Sequence, residues 1–185
     1  MKRKLLVLAV AALLALVLAV PASASKPIKV SGVIVPDWET FKDKTVPVGN
    51  RCFVDFSSDN AYGGDIVASC AHHGWQVAHG PCAGSFPGSY KETLHLEADC
   101  TTTGSGLLGK QGTFRLRCNG ELLPAADPPQ LMVMDWRQDC VILAGTGDLA
   151  NLRGSLTLES HYRSLEDAAT VPMTYSGEIH FDPDK

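Results

Sequence analysis

From Tyr90 to Cys100, "YKETLHLEADC", side chains alternate in character: Tyr90, Glu92, Leu94, Leu96 and Ala98 fall on one side, and Lys91, Thr93, His95, Glu97 and Asp99 on the other. A period of two marks a half-buried strand, because successive side chains of an extended chain point to opposite faces. The period recurs in "QGTFRLRCNG", with Phe114, Leu116 and Cys118 against Thr113, Arg115 and Arg117. Glu97 then meets Arg115 across the ladder, which makes that side a solvated outer face. Near the end, Leu156, Leu158 and Tyr162 match Met173, Tyr175, Ile179 and Phe181, while Glu159, His161, Glu178 and His180 face the other way. "PIKVSGVIV" reads as a strand followed by a polar connection, "PDWETFKDKTVPVGN", and "QLMVMDWRQDCVILAG" as a more buried strand. Glycine and proline punctuate the junctions, and only "RSLEDAAT" has helix-like content. About eight or nine short strands with little helix give an all-β fold. The expectation is a single antiparallel β-barrel of about eight strands, since closure leaves no sheet edge exposed.

The first residues, "MKRKLLVLAVAALLALVLAVPASAS", place Lys2, Arg3 and Lys4 before an apolar run from Leu5 to Val20 and then small residues. That is the order of a secretory signal peptide, with cleavage after Ala24, which leaves residues 25–185 as one domain and no membrane insertion after cleavage. Loss of the three basic residues moves the net charge from −4 to about −7, at the reference charge states. An acidic chain without a basic run repels phosphate backbones, so nucleic acid is excluded as a partner. The leader therefore implies a secreted protein, extracellular or periplasmic. Six cysteines, Cys52, Cys70, Cys82, Cys100, Cys118 and Cys140, enter an oxidising compartment, and an even number there implies three disulfides that stabilise the barrel. If "SSDNAYGG" is the turn of a hairpin, Phe56 faces Ile66 and Val54 faces Ala68, so Cys52 with Cys70 is the favoured pair. For the other four, a meander would return Cys82 to Cys118 and Cys100 to Cys140 at matching ends, but a crosslink that skips a strand must span ~10 Å between Cα atoms, beyond the usual reach of a disulfide, so their pairing stays open.

"GTGDLANLRG", residues 145–154, invites comparison with a phosphate-binding loop. Such a loop needs a full helix after it, so that amides and dipole converge on the anion. Only "DLANLR" intervenes before the next glycine, and Asp148 would repel a phosphate. The stretch reads as a corner, with Leu149 and Leu152 tucked against the end of the barrel. "AGTGDLANLRGSLTLE" with the later "YSGEIHFDP" resembles the C-terminal pattern of allene oxide cyclase-like and dirigent-like barrels, in particular small bacterial exported members. The resemblance covers Ala144 to Asp182 best. It implies an eight-stranded barrel of calycin type, whose relatives cyclise fatty-acid epoxides or steer phenoxy radical coupling. No luminal residue of those activities is matched here, so the resemblance carries the fold rather than the chemistry.

Two clusters suggest chemistry. "CAHHGWQVAHGPC" brings His72, His73 and His79 between two cysteines, but thiolate ligation competes with disulfide formation and the spacing fits no familiar metal pattern. These histidines read as solvated loop side chains, and no metal or cofactor is expected. Glu159, His161, Glu178 and His180 supply carboxylates and imidazoles, yet they lie opposite the apolar face and therefore in water. The interior remains, where Phe114, Trp136, Tyr162, Tyr175 and Phe181 either fill the core or contact a ligand. The sequence thus reads as a noncatalytic binding or interaction module, with a small lipophilic ligand or another extracellular protein as partner. A secreted isomerase or cyclase that uses the lumen, and a structural cell-envelope scaffold, are the alternatives.

Overall fold

The computed structural model describes residues 25–49, 51–78, 92–124, 134–162 and 172–183. The leader at 1–24, His79, Cys82 and "RSLEDAAT" lie outside the described residues. Eight strands, β1 (Ile28–Val48), β2 (Arg51–Gly64), β3 (Ile66–Ala78), β4 (Glu92–Leu107), β5 (Thr113–Pro124), β6 (Met134–Gly145), β7 (Leu152–Tyr162) and β8 (Met173–Phe181), follow one another around a closed barrel. Every neighbouring pair is antiparallel, and β8 closes on β1 through Ile28↔Ile179 to Ile34↔Met173. Among the described residues no helix is long and apolar enough to cross a membrane.

The alternation expected from sequence sets the inside of this barrel. Leu94, Leu96 and Ala98 of β4, Phe114, Leu116 and Cys118 of β5, Leu156 and Leu158 of β7, and Met173, Tyr175 and Ile179 of β8 are all buried in one core. Arg115 and Arg117 point outward and share Glu97, at 3.3 Å each, and Arg115 also meets Asp99 at 2.8 Å. These exposed pairs are worth about 0–1 kcal/mol each. Burial of the apolar rows, not surface charge, holds the barrel closed.

One end is sealed by the glycine corner. A single 3-10 turn, Gly147–Leu149, joins β6 to β7, and Gly147 takes a φ of +60° that a side chain would strain. Leu149 and Leu152 are fully buried beneath it. Asp148 ties the corner to the β4–β5 connection, its N–H donating to the Gln111 carbonyl at 2.9 Å and its carboxylate accepting from the Gln111 N–H at 3.2 Å. The corner is therefore a plug.

Two local readings of the sequence are corrected. "SSDNAYGG" is not a turn: it belongs to β2, with Asn60 opposite Cys70 and Tyr62 opposite Ala68, and the chain reverses at Gly64–Ile66 instead. The shift leaves the inward-facing side chains unchanged, because it moves the pairing by an even number of residues. The polar segment after Val35 is likewise strand rather than connection. It stays paired with β2 up to Val48↔Arg51, whereas its pairing with β8 stops at Ile34, so most of its later side chains are exposed and polar character is tolerated.

The disulfide pairing changes with the register. Cys70 bonds Cys100 and Cys118 bonds Cys140, each joining directly opposed residues of adjacent strands with Cα–Cα distances of 4.1 and 3.9 Å. The favoured pair Cys52–Cys70 is thereby overturned, and Cys82–Cys118 and Cys100–Cys140, left open for the other four, are excluded. In the true register Cys52 faces Ala78, several residues from Cys70. Cys52 is also disulfide-bonded, with its partner outside the described residues.

Candidate luminal binding site

A cavity of about 120 Å³ occupies the end of the barrel opposite the glycine corner. Its position follows from a break in β1. The β1–β2 register shifts between Asp37 and Lys42, where the Asp37 carboxylate accepts the Glu39 N–H at 3.0 Å and the Thr40 hydroxyl donates to the Asp37 carbonyl at 2.9 Å. Thr40 Oγ1 also accepts the Asp59 N–H at 2.8 Å, which pins the bulge to β2. A bulge re-aims side chains. Here Trp38 and Phe41 both line the cavity, with their rings 5.7 Å apart, and Phe41 stacks on Phe56 at 6.4 Å.

Leu94, Leu96, Leu122, Trp136 and Met173 form the apolar wall, and Ser58, Asn60, His72 and Gln76 bring polar atoms into it. Asn60, His72 and Gln76 are buried, and the Ser58 hydroxyl lies 3.3 Å from Asn60 Oδ1. His72 Nε2 and the Tyr62 hydroxyl are 3.2 Å apart, and the Tyr62 ring packs 5.6 Å from that of Tyr175. An apolar hollow with a few convergent polar groups is the usual build of a small-molecule site. An apolar cavity of ~150 Å³ admits benzene. This one is somewhat smaller, with Trp38 exposed at its edge.

Electrostatically the lumen is neutral. Burial pushes the His72 imidazole down to about 4 and holds the Tyr62 phenol well above its ordinary range, with the neighbouring Tyr175 adding to the second effect. Above pH 6.5 His72 is uncharged folded or unfolded. Between about 6.5 and 4 only the unfolded chain takes the proton, so stability falls as pH falls through that window. The full loss is about 3 kcal/mol at ~1.4 kcal/mol per pH unit, reached near pH 4. Urea unfolding at pH 7 and pH 4 should show this difference in the wild type and a smaller one in His72→Gln.

Several buried polar atoms of the inward face have no hydrogen-bond partner among the described residues. They are Gln76 Nε2, both amide atoms of Gln138 and the Ser160 hydroxyl. Gln138 lies inward from Trp136 on β6, beside Gly120 of β5, where a Cβ would fall 2.8 Å from Gln138 Cγ. Ser160 faces Trp136 across the β6–β7 ladder.

Of the aromatic residues singled out from sequence, Trp136 lines this cavity. Phe114 is buried in the core elsewhere, and the Tyr175 hydroxyl is taken by the Ile66 backbone, whose N–H donates to it at 2.8 Å. Phe181 sits by the sealed end, with Lys110 Nζ 4.9 Å from its ring centroid. The Tyr162 side chain lies outside the described residues. Among the histidines, His72 is luminal, whereas His73 is outside and 3.1 Å from Asp55, so the two do not share a site. Glu159, His161 and His180 pair with Arg137, Asp135 and Asp182 respectively on the outer surface, at 2.8, 2.9 and 3.4 Å. Among the described residues no three His, Cys, Asp or Glu side chains converge to hold a metal.

No family model matches the chain. No curated protein matches it either. Among solved structures, a protein of unknown function from the DUF3224 family of Shewanella oneidensis superposes with a TM-score of 0.54 at 18% identity, over 85% of this chain and 100% of that one. At that identity the likeness shows a shared barrel fold.

Proposed function

We propose that this protein is an exported, noncatalytic binding protein that takes a small lipophilic ligand into the open end of its barrel. The observation that carries the reading is the apolar cavity beside Trp136 and Met173, into which Asn60, His72 and Gln76 bring buried polar groups. Export is supported by the leader-like sequence before residue 25 and by disulfides between adjacent strands, which persist in oxidising compartments. The resemblance to allene oxide cyclase-like and dirigent-like barrels agrees with use of the lumen.

One observation favours the enzymatic alternative. An isomerase or cyclase needs a proton donor and an acceptor inside the lumen, and the hydrogen-bonded Tyr62–His72 pair has that chemistry. Burial keeps both groups neutral, however, and the Tyr62 hydroxyl and His72 Nε2 are spent on each other. The binding reading is therefore preferred.

Native mass spectrometry of protein purified from its producing cells tests it. A lipophilic adduct is expected on the wild type and absent from Ser58→Trp, whose indole fills the cavity. Equal adducts on both proteins would place the lipophile elsewhere and contradict the reading.

A further inference from the structure

The cavity is walled by aromatic rings on facing sides of the barrel. We propose that the group it holds is a methylated ammonium, a compact cation with apolar methyls whose charge rests among the rings of Trp38, Phe41, Phe56 and Trp136. This rests on the luminal binding reading and narrows its ligand to one chemical class.

The four rings meet there for separate structural reasons. The β1 bulge brings Trp38 and Phe41 to the cavity with their ring planes 57° apart, and Phe41 lies at 22° to Phe56. Phe56 has its seat because Gly74, opposite it on β3, lacks a side chain: a Cβ there would fall 2.6 Å from Phe56 Cζ. Trp136 comes from β6, which stands four strands from β2 in either direction around the ring. All four line one cavity of about 120 Å³, so a guest meets ring surface from opposite walls and at more than one angle. Two of the chain's three tryptophans are among them, and indole attracts a cation best of the aromatic side chains.

The lining also selects which cation. No aspartate, glutamate, lysine or arginine lines the cavity, and burial keeps its one imidazole, His72, uncharged at neutral pH. A primary ammonium is strongly hydrated and would lose that hydration without gaining a counter-ion. A carboxylate would meet neither a cation nor a favourable ring face. A trimethylammonium group has no N–H to leave unpaired, and the negative ring faces answer its charge.

The rim favours the same sign. Asp37 and Glu39 flank Trp38, and Asp59 faces Asp37 across the ladder, all three exposed. Within residues 37–42 and 57–59 these carboxylates outnumber the one cation, Lys42. With a net charge of −4 on the whole chain, a cation is drawn to this opening and an anion is turned away.

The test is calorimetry on the oxidised protein at neutral pH, with three probes that share a hydroxyethyl tail. They are choline, its uncharged isostere 3,3-dimethylbutan-1-ol, and ethanolamine, which keeps the charge without the methyls. Choline is expected to bind about tenfold tighter than the uncharged alcohol, and ethanolamine more weakly than choline. Trp38→Leu, at an exposed position outside the core, should lower choline affinity about fivefold and alcohol affinity by less than about twofold. Trp136→Leu should act in the same direction. Equal binding of choline and the alcohol, ethanolamine as tight as choline, or a choline preference that survives both substitutions overturns the inference while the luminal reading stands. If neither choline nor the alcohol binds, both fall.

Discussion

Removing the Cys70–Cys100 disulfide by the paired change Cys70→Ala and Cys100→Ala is expected to lower the unfolding free energy by about 3–4 kcal/mol, and removing Cys118–Cys140 by about as much. The sequence separations are 30 and 22 residues, and the entropy that a crosslink takes from the unfolded chain grows only slowly with loop length. Alanine is the right replacement because all four sulfurs are buried in the apolar core, where serine would add an unpaired hydroxyl. Together the two losses approach the whole stability of an ordinary domain, ~5–15 kcal/mol. The doubly depleted protein should therefore populate unfolded chain at room temperature. Urea titration of the three variants measures this, and losses below about 1 kcal/mol each would contradict the role assigned to the crosslinks.

The second large effect is expected at Leu158. It is fully buried between Gln138 of β6 and Tyr175 of β8, so Leu158→Ala should cost about 2–5 kcal/mol through lost burial and the void left behind. Its neighbour Glu159 faces out to Arg137, and Glu159→Ala should stay within about 1 kcal/mol. Adjacent residues with such unequal costs are what a two-residue period predicts when one face is core and the other is water. Comparable costs at both positions would mean that the wall is not one-sided.

That period is also why the barrel was legible from sequence. Leu94, Leu116, Leu156 and Ile179 needed only their alternation to be placed inside. Register was harder, because pairing Cys52 with Cys70 kept every inward residue inward and so raised no conflict. The misreading came from Ser58 and Asn60, polar residues taken for a turn when they are luminal wall. The same argument that a crosslink cannot skip a strand leads to Cys70–Cys100 and Cys118–Cys140 once each cysteine is given its own strand.

The site was less legible than the wall. Phe114, Tyr175 and Phe181 are aromatic and face inward, but residue type does not reveal height along the barrel axis. Height depends on register, and these three lie outside the cavity lining. Asn60, Gln76 and Gln138 interrupt an apolar face and so suggest loops, and His72, which the sequence places in a solvated loop, is instead buried on β3. Their shared inward parity with Val54, Cys70 and Trp136 was the available signal.

The account turns on a barrel that is plugged at the glycine corner and receptive at the other end. Methyl NMR of the oxidised protein titrated with toluene tests this most directly. Saturable shifts are predicted at Leu94, Leu96 and Met173, with Leu149 and Leu152 unmoved. Shifts that never saturate, or that appear equally at Leu149 and Leu152, would contradict it.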